Sequence, residues 1–311
     1  MPHSPVGWRI SNVGVCAKRV GFQERFFFLA KRFVAGETVD DAIAAIQRLN
    51  DLGIIASLDF LGEDVARPEE AIATRNEYLR LLDALAAAGV RSNVSVKLSA
   101  LGLLIDELLC FQNLSAIVER AAENETARPL LDPFVRIDME GSALTEATLR
   151  IFEKAFKQYP NVGIVLQAYL RRTAADVERS IDLGARVRLC KGAYKEPPAI
   201  AYPDMPTIRR HFLRDAEALL TRGENPAIAT HDPSLIDAVK RFTAQRGIGP
   251  DRFEFQMLFG VRPELQRKLV AEGYNLRVYV PYGTHWAKYF YRRISERPEN
   301  ALLAARALTS R

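Results

Sequence analysis

The chain is poor in the residues that mark many familiar sites. Its 311 residues hold three cysteines, Cys16, Cys110 and Cys190, odd in number and far apart. That spacing excludes a disulfide framework and a CxxC motif, and it suits a reducing, cytoplasmic setting. The four histidines, His3, His211, His231 and His285, form no HExxH pair, so no catalytic metal is expected. GxSxG is missing, which argues against a nucleophile-elbow hydrolase, and GxGxxG is missing, which argues against a glycine-rich dinucleotide turn. No stretch of 18 consecutive apolar residues occurs, so no membrane-spanning helix is expected. The opening MPHSPVGWRISNVG lacks a signal-peptide layout. The net charge of +5 is spread thinly, with no Lys/Arg run of five, and does not imply nucleic-acid binding. It does fit an anionic ligand.

What is present is ordinary globular composition, 48% hydrophobic and 26% charged, with a strong rhythm. Residues 17–35 read as an amphipathic helix flanked by basic residues, which packs on the main domain or lies on a membrane surface. Thr38 to Asp41 resembles a capping box with Asp in place of Glu. It opens a helix carrying Val39, Ala42, Ile43, Ile46 and Leu49 on one side, ended by Gly53. Eight short apolar runs follow, at 54–62, 93–99, 134–140, 161–169, 186–194, 226–232, 253–259 and 276–283. Helical patterns lie between them at 68–89, 142–159, 173–184, 206–223, 233–247 and 262–273, several of them ending in glycine. Eight β-then-α units point to an α/β fold, a (βα)8 barrel of TIM type over residues 37–311, preceded by a helical extension over residues 1–36. A doubly wound open sheet is the alternative, without the glycine-rich turn that usually marks it.

A barrel of this kind works at the C-terminal ends of its strands. There the sequence is polar: Glu63, Lys97, Asp138, Glu140, Gln167, Arg188, Lys191, Thr230, His231, Gln256 and Tyr279. After the last strand, Pro281 and Gly283 break the chain, and Thr284 can cap a helix. His285, Tyr289, Arg292 and Glu296 then fall at spacings of four, three and four, along one helical face. Arg293 stands beside Arg292, and two guanidinium groups at one helical level can grip a carboxylate or a phosphate. Lys97 is expected to pair with Asp138 across neighbouring strands. Lys97 and Lys191 also admit a Schiff-base role, as in barrel lyases and aldolases. The cations Lys97, Arg188, Lys191, Arg292 and Arg293 suit a large anionic cofactor beside a carboxylate substrate.

Eight motifs, in order, resemble the proline dehydrogenase family in its short monofunctional bacterial form. They are LDFLGE (58–63), VSVKLS (94–99), RIDME (136–140), LQAYLRRT (166–173), VRLCKGAYKEP (187–197), ATHD (229–232), FEFQMLFG (253–260) and YVPYG with YRRISERPEN (279–300). The resemblance implies FAD-dependent oxidation of proline to Δ1-pyrroline-5-carboxylate, with electrons passed to a quinone. It implies FAD contacts from Met139, Gln167, Arg188, Lys191, Gly192, Ala193, Thr230 and His231. Arg188 and Asp138 would form the catalytic pair, with Arg188 near the flavin ring and Asp138 holding Lys97. Lys97, Tyr194, Tyr279, Arg292 and Arg293 would bind proline, and Glu296 would orient Arg292; Glu63 is expected to pair with Arg292 and close the pocket. It also implies transient contact with the inner face of a membrane, where residues 17–35 could touch, and a pyrroline-5-carboxylate dehydrogenase as partner. A lysine-dependent barrel lyase and a non-catalytic metabolite-binding barrel are the competing readings.

Overall fold

The structure, a computed structural model, describes residues 30–127, 133–287 and Tyr289. Eight parallel strands close on themselves in sequence order. They are β1 Ile55–Phe60, β2 Ser92–Val96, β3 Val135–Ile137, β4 Val162–Gln167, β5 Arg186–Cys190, β6 Glu224–Ala229, β7 Glu254–Leu258 and β8 Leu276–Tyr282. All eight expected strands form, and the open-sheet alternative falls because β1 pairs with β8. Helix α1 (Val39–Asp51) precedes β1, and α2 (Pro68–Ala88), α3 (Glu107–Ala127), α4 (Ser142–Phe156), α5 (Thr173–Asp182), α6 (Met205–Arg222), α7 (Pro233–Arg246) and α8 (Pro263–Ala271) fill the crossovers. The capping box at α1 is present: Thr38 Oγ1 accepts from Asp41 N–H at 3.2 Å, and Asp41 Oδ2 accepts from Thr38 N–H at 3.3 Å. Helix α3 is absent from the helices read in the sequence. Its buried stripe, Leu114, Ile117, Val118 and Ala121, is regular, but the exposed Leu104 and Leu108 at its entrance blur the pattern.

The strands alternate, and the two faces differ in chemistry. Outward residues such as Leu58, Val94, Ile137, Ile164, Leu189, Phe255 and Val278 are buried against the helices in one continuous apolar layer. Each such side chain contributes about 2 kcal/mol by leaving water. The lumen, usually filled by branched aliphatics in this architecture, is polar here. Ser57 and Asp59, Ser95 and Lys97, Arg136 and Asp138, Glu254 and Gln256, and Arg277 and Tyr279 occupy alternate positions, and hydrogen bonds between non-adjacent strands cross the interior. Gly163 makes room for this filling: a Cβ there would lie 2.5 Å from Arg186 O and 2.9 Å from Arg136 Nη1. Arg136 is 1% exposed and donates through Nη1 to Arg186 O at 2.6 Å and Ile164 O at 3.2 Å. Buried charge of this kind is tolerable only where hydrogen bonds replace water.

Only residues 30–35 of the expected 17–35 helix are described. Ala30, Phe33 and Val34 pack with Leu61, Val261, Trp286 and Tyr289, residues that follow the C-terminal ends of β1, β7 and β8. Among the described residues no helix is long and apolar enough to cross a membrane.

Candidate active site

A cavity of about 400 Å³ opens at the C-terminal ends of the strands, a size typical of small-molecule sites. It is lined by Lys97, Asp138, Met139, Gln167, Arg188, Lys191, Gly192, Ala193, Tyr194, Thr230, His231 and Tyr279. Among the described residues, the structure brings into one cavity the residues assigned to it from sequence, except Glu63 and Glu140, whose carboxylate turns away to accept from Ser99 N–H at 3.0 Å. Glu63 lies three residues beyond the end of β1 and outside the lining. Arg292, Arg293 and Glu296 lie outside the described residues. Of the helical face expected after Thr284, Tyr289 is buried and lines the cavity. His285 is exposed and stands in a turn, so that it does not share the face. Trp286 is buried instead, and its Nε1 donates to Glu37 at 3.0 Å.

The centre of the site is an ionic and hydrogen-bonded cluster. Lys97, one residue past β2, donates to Asp59 Oδ1 at 2.7 Å and lies 3.6 Å from Asp138 Oδ2. The expected Lys97–Asp138 pair is present, but Asp59 is the nearer partner and is the residue that sequence reasoning missed. Its signal was the alternation Ser57, Asp59 within SLDF, which places both in the lumen. The Tyr279 hydroxyl donates to Asp138 Oδ2 at 2.7 Å and accepts from Lys97 at 3.2 Å. Burial alone would lower the affinity of Lys97 for its proton, but the Asp59 and Asp138 carboxylates outweigh it and raise its pKa above the usual lysine range. An imine-forming lysine needs a free amine, so Lys97 is poorly placed for Schiff-base chemistry. Tyr279, buried beside two carboxylates, is likewise pushed well above its ordinary pKa and stays a neutral hydroxyl.

Arg188, 6% exposed, is held on three sides. Its Nη1 donates to Asp138 Oδ1 at 2.8 Å, Nη2 donates to Ser95 Oγ at 3.1 Å and Ser57 Oγ at 3.4 Å, and Nε donates to Gln256 Oε1. A guanidinium carries five N–H bonds. One on Nη1 is left without an acceptor among the described residues, on a side chain that lines the cavity. On the far side, Asp232 caps α7 through Ser234 N–H at 3.2 Å and takes Arg209 Nε at 2.8 Å and Lys191 Nζ at 3.4 Å. Burial would raise its pKa, but the bond from Arg209 and the neighbouring charges hold it at about 2. Lys97, Arg188 and Lys191, expected as an excess of cations at the mouth, are thus each matched to a carboxylate.

The loop after β5 is shaped by close contact. Gly192 has φ +109°, and a Cβ there would lie 2.1 Å from Tyr169 Cδ1. Glu196 anchors the far end of this loop by accepting from Ser142 N–H at 2.7 Å and Ser142 Oγ at 2.6 Å at the start of α4. Residues 197–204 lead into α6, whose Met205 and Ile208 line the cavity. Gln167 donates through Nε2 to Met139 O at 2.9 Å and Glu140 O at 3.3 Å. Its buried Oε1 has no partner among the described residues. His231 accepts through Nε2 from Leu258 N–H at 2.8 Å, which requires that nitrogen to be unprotonated.

The family model described as proline dehydrogenase matches residues 42–302. The chain belongs to the proline dehydrogenase family. It is 41% identical over 279 residues to Proline dehydrogenase 1 of Bacillus subtilis (strain 168), covering 90% of each chain. It is 40% identical over 291 residues to Proline dehydrogenase of Deinococcus radiodurans, covering 92% of each. In fold it resembles proline utilization A (PutA) from Bdellovibrio bacteriovorus inactivated by N-propargylglycine, with a TM-score of 0.78 at 24% identity. That match covers 94% of this chain and 34% of the other, so the chain spans about a third of that protein. The family membership makes the chain an enzyme of proline catabolism, and the cavity at the strand ends is its candidate active site.

Proposed function

We propose that the chain oxidises L-proline to Δ1-pyrroline-5-carboxylate with FAD, by hydride transfer from C5 of proline to N5 of the flavin, and passes the electrons to a quinone. The observation that carries this reading is the single cavity that gathers Lys97, Asp138, Gln167, Arg188, Lys191, Thr230 and Tyr279. Its donors and acceptors fit a flavin: the unpartnered Gln167 Oε1 can accept from an N–H, and the remaining Arg188 N–H can donate to a carbonyl or a developing negative charge. Bound FAD supplies the hydride acceptor.

In this reading Met139, Gln167, Arg188, the Lys191-Gly192-Ala193 backbone, Thr230 and His231 hold FAD. Lys97, Tyr194 and Tyr279 border the substrate. Because Lys97 is engaged by Asp59, the grip on the proline carboxylate falls to Arg292 and Arg293, with Glu296 orienting Arg292 and Glu63 pairing with it to close the pocket. Asp138 ties Lys97, Tyr279 and Arg188 together, so that substrate and flavin sides share one geometry. The proton lost by the substrate amine goes to solvent. Residues 1–36 form an extension to a barrel at 37–311, and the contacts of Ala30, Phe33 and Val34 support its docking on the barrel. The enzyme is cytoplasmic and meets the inner membrane surface transiently, through residues 17–35, to deliver electrons. Its labile product goes to a pyrroline-5-carboxylate dehydrogenase.

The test is a visible spectrum of the purified protein before and after anaerobic addition of L-proline. A flavin spectrum that bleaches, and recovers on addition of a soluble quinone, is expected. Flavin without bleaching would move the substrate elsewhere. A chain that takes up no FAD would sink the reading and favour a borohydride-trapped imine at Lys191.

A further inference from the structure

The lumen contains a hydrogen-bonded chain that ends on Arg188 and begins outside the cavity. Arg277 Nε donates to Glu254 Oε1 at 2.9 Å. Gln256 Nε2 donates to the same Glu254 oxygen, and Gln256 Oε1 accepts from Arg188 Nε. Glu254 and Gln256 stand two apart on β7 and face the lumen, while Phe255 between them faces the helices. All four residues are buried.

The chemistry of this chain allows one orientation of the Gln256 amide. A carboxylate only accepts and a guanidinium only donates, so the amide must show its NH2 to Glu254 and its oxygen to Arg188. Flipped, it would set donor against donor at Arg188 and acceptor against acceptor at Glu254. Asp138 and the two serines hold the Nη edge of Arg188, whereas the Nε edge rests on Gln256. The plane of the guanidinium therefore depends on the amide, and the amide depends on Glu254.

We infer that Glu254, which does not line the cavity, is a positioning residue for Arg188 and acts through the Gln256 amide. The inference rests on the reading of Arg188 as the cation of the flavin site. The bland alternative is that Glu254 serves only as the counterion of Arg277.

Two single substitutions separate these. Both bonds to Glu254 fall on Oε1. Glu254→Gln keeps that oxygen and loses the charge, while Glu254→Asp keeps the charge and withdraws it by one C–C bond, about 1.5 Å. With the FAD-loaded enzyme, Glu254→Gln is expected to keep kcat for L-proline within about twofold, whereas Glu254→Asp lowers kcat about tenfold with KM within about twofold. The flavin midpoint potential of Glu254→Asp is expected to fall, because a misplaced Arg188 stabilises the reduced flavin less. A crystal structure of that variant should show the Arg188 plane turned away from Gln256 on an unmoved main chain. If Glu254→Asp folds poorly, the paired Glu254→Met/Arg277→Met variant removes the acceptor together with the guanidinium bonded to it, and it should reproduce the loss. Wild-type kcat and potential in Glu254→Asp, or in the pair when it stands in, would overturn the inference. So would an equal loss in Glu254→Gln and Glu254→Asp, which would make charge the operative property. Failure of the wild-type chain to take up FAD or to bleach with proline would instead defeat the functional reading, and the Arg188 plane in the crystal would still report on Glu254.

Discussion

Lys97 is bound more closely to Asp59 than to Asp138: its Nζ lies 2.7 Å from Asp59 Oδ1 and 3.6 Å from Asp138 Oδ2. Asp59 is fully buried and makes the shorter contact to Lys97, while Asp138 also meets Arg188 and Tyr279. Replacing Asp59 with Asn should strand the ammonium and draw it onto Asp138, in competition with Arg188. Loss of one partner of a buried pair costs about 3 kcal/mol. Urea denaturation of Asp59→Asn should show a drop of that order, and L-proline turnover should fall at least about tenfold. A variant with wild-type turnover would show that Asp138 alone suffices to hold Lys97.

Gly192 sits at φ +109° with the Tyr169 ring where a Cβ would go. Gly192→Ala combines a backbone conformation that L residues rarely adopt with a hard clash, and a destabilisation of about 1–3 kcal/mol is expected. Because Lys191 and Ala193 line the cavity on either side, the purified variant should carry less flavin than the wild type. Full flavin occupancy, measured by absorbance, would argue against this backbone as part of the cofactor site.

Glu196 holds the loop after β5 to the start of α4 through Ser142. Glu196→Ala frees the segment that carries Tyr194 without disturbing the barrel layer. The expected result is a proline KM raised several-fold, by about 1 kcal/mol of lost positioning, with a small change in thermal midpoint. An unchanged KM would remove Tyr194 from the substrate wall.

Acid should weaken this fold through two depressed carboxylates. Burial opposes ionisation of Glu254, but the Arg277 charge overrides it and holds the pKa at about 2, below the ordinary 4.5. Asp232, held mainly by Arg209 against the cost of burial, also lies at about 2, below 3.8. A folded-state pKa below the unfolded value gives stability that is complete above the unfolded value and lost as pH falls through the folded one. Denaturant midpoints of the wild type should therefore decline between about pH 4.5 and 2, and Glu254→Gln should flatten part of that decline. Parallel profiles for the two proteins would show that Glu254 is not ionised in the fold.

Several features could be read before any coordinates. Short apolar runs marked each strand, and prolines and glycines bounded several helices, because those local preferences act within a few residues. Cavity residues such as Gln167, Arg188 and Thr230 were legible because a barrel turns its strand ends toward one mouth. Helix α3 was missed where Leu104 and Leu108, apolar yet exposed, disturbed the pattern. His285 was misread because a helical face was extrapolated back into a turn. Glu63 was taken as the end of the first strand, whereas the strand stops at Phe60 and its last inward polar residue is Asp59.

By itself, then, the sequence determined the order of eight strands, the caps of the helices and the set of residues at the strand ends, all of which follow from short-range periodicity and turn chemistry. Which of those side chains meet was decided only by closure of the barrel. Register between strands, such as Asp59 opposite Ser95 and Ser57 opposite Tyr279, sets the level of each inward residue. The pairing of Lys97 with Asp59, the three-sided hold on Arg188 and the Lys97–Tyr279 bond all follow from those levels. They join residues up to 182 positions apart, as Lys97 and Tyr279 are. No local preference encodes such contacts, because their energy exists only when the closed sheet excludes water from the space they share.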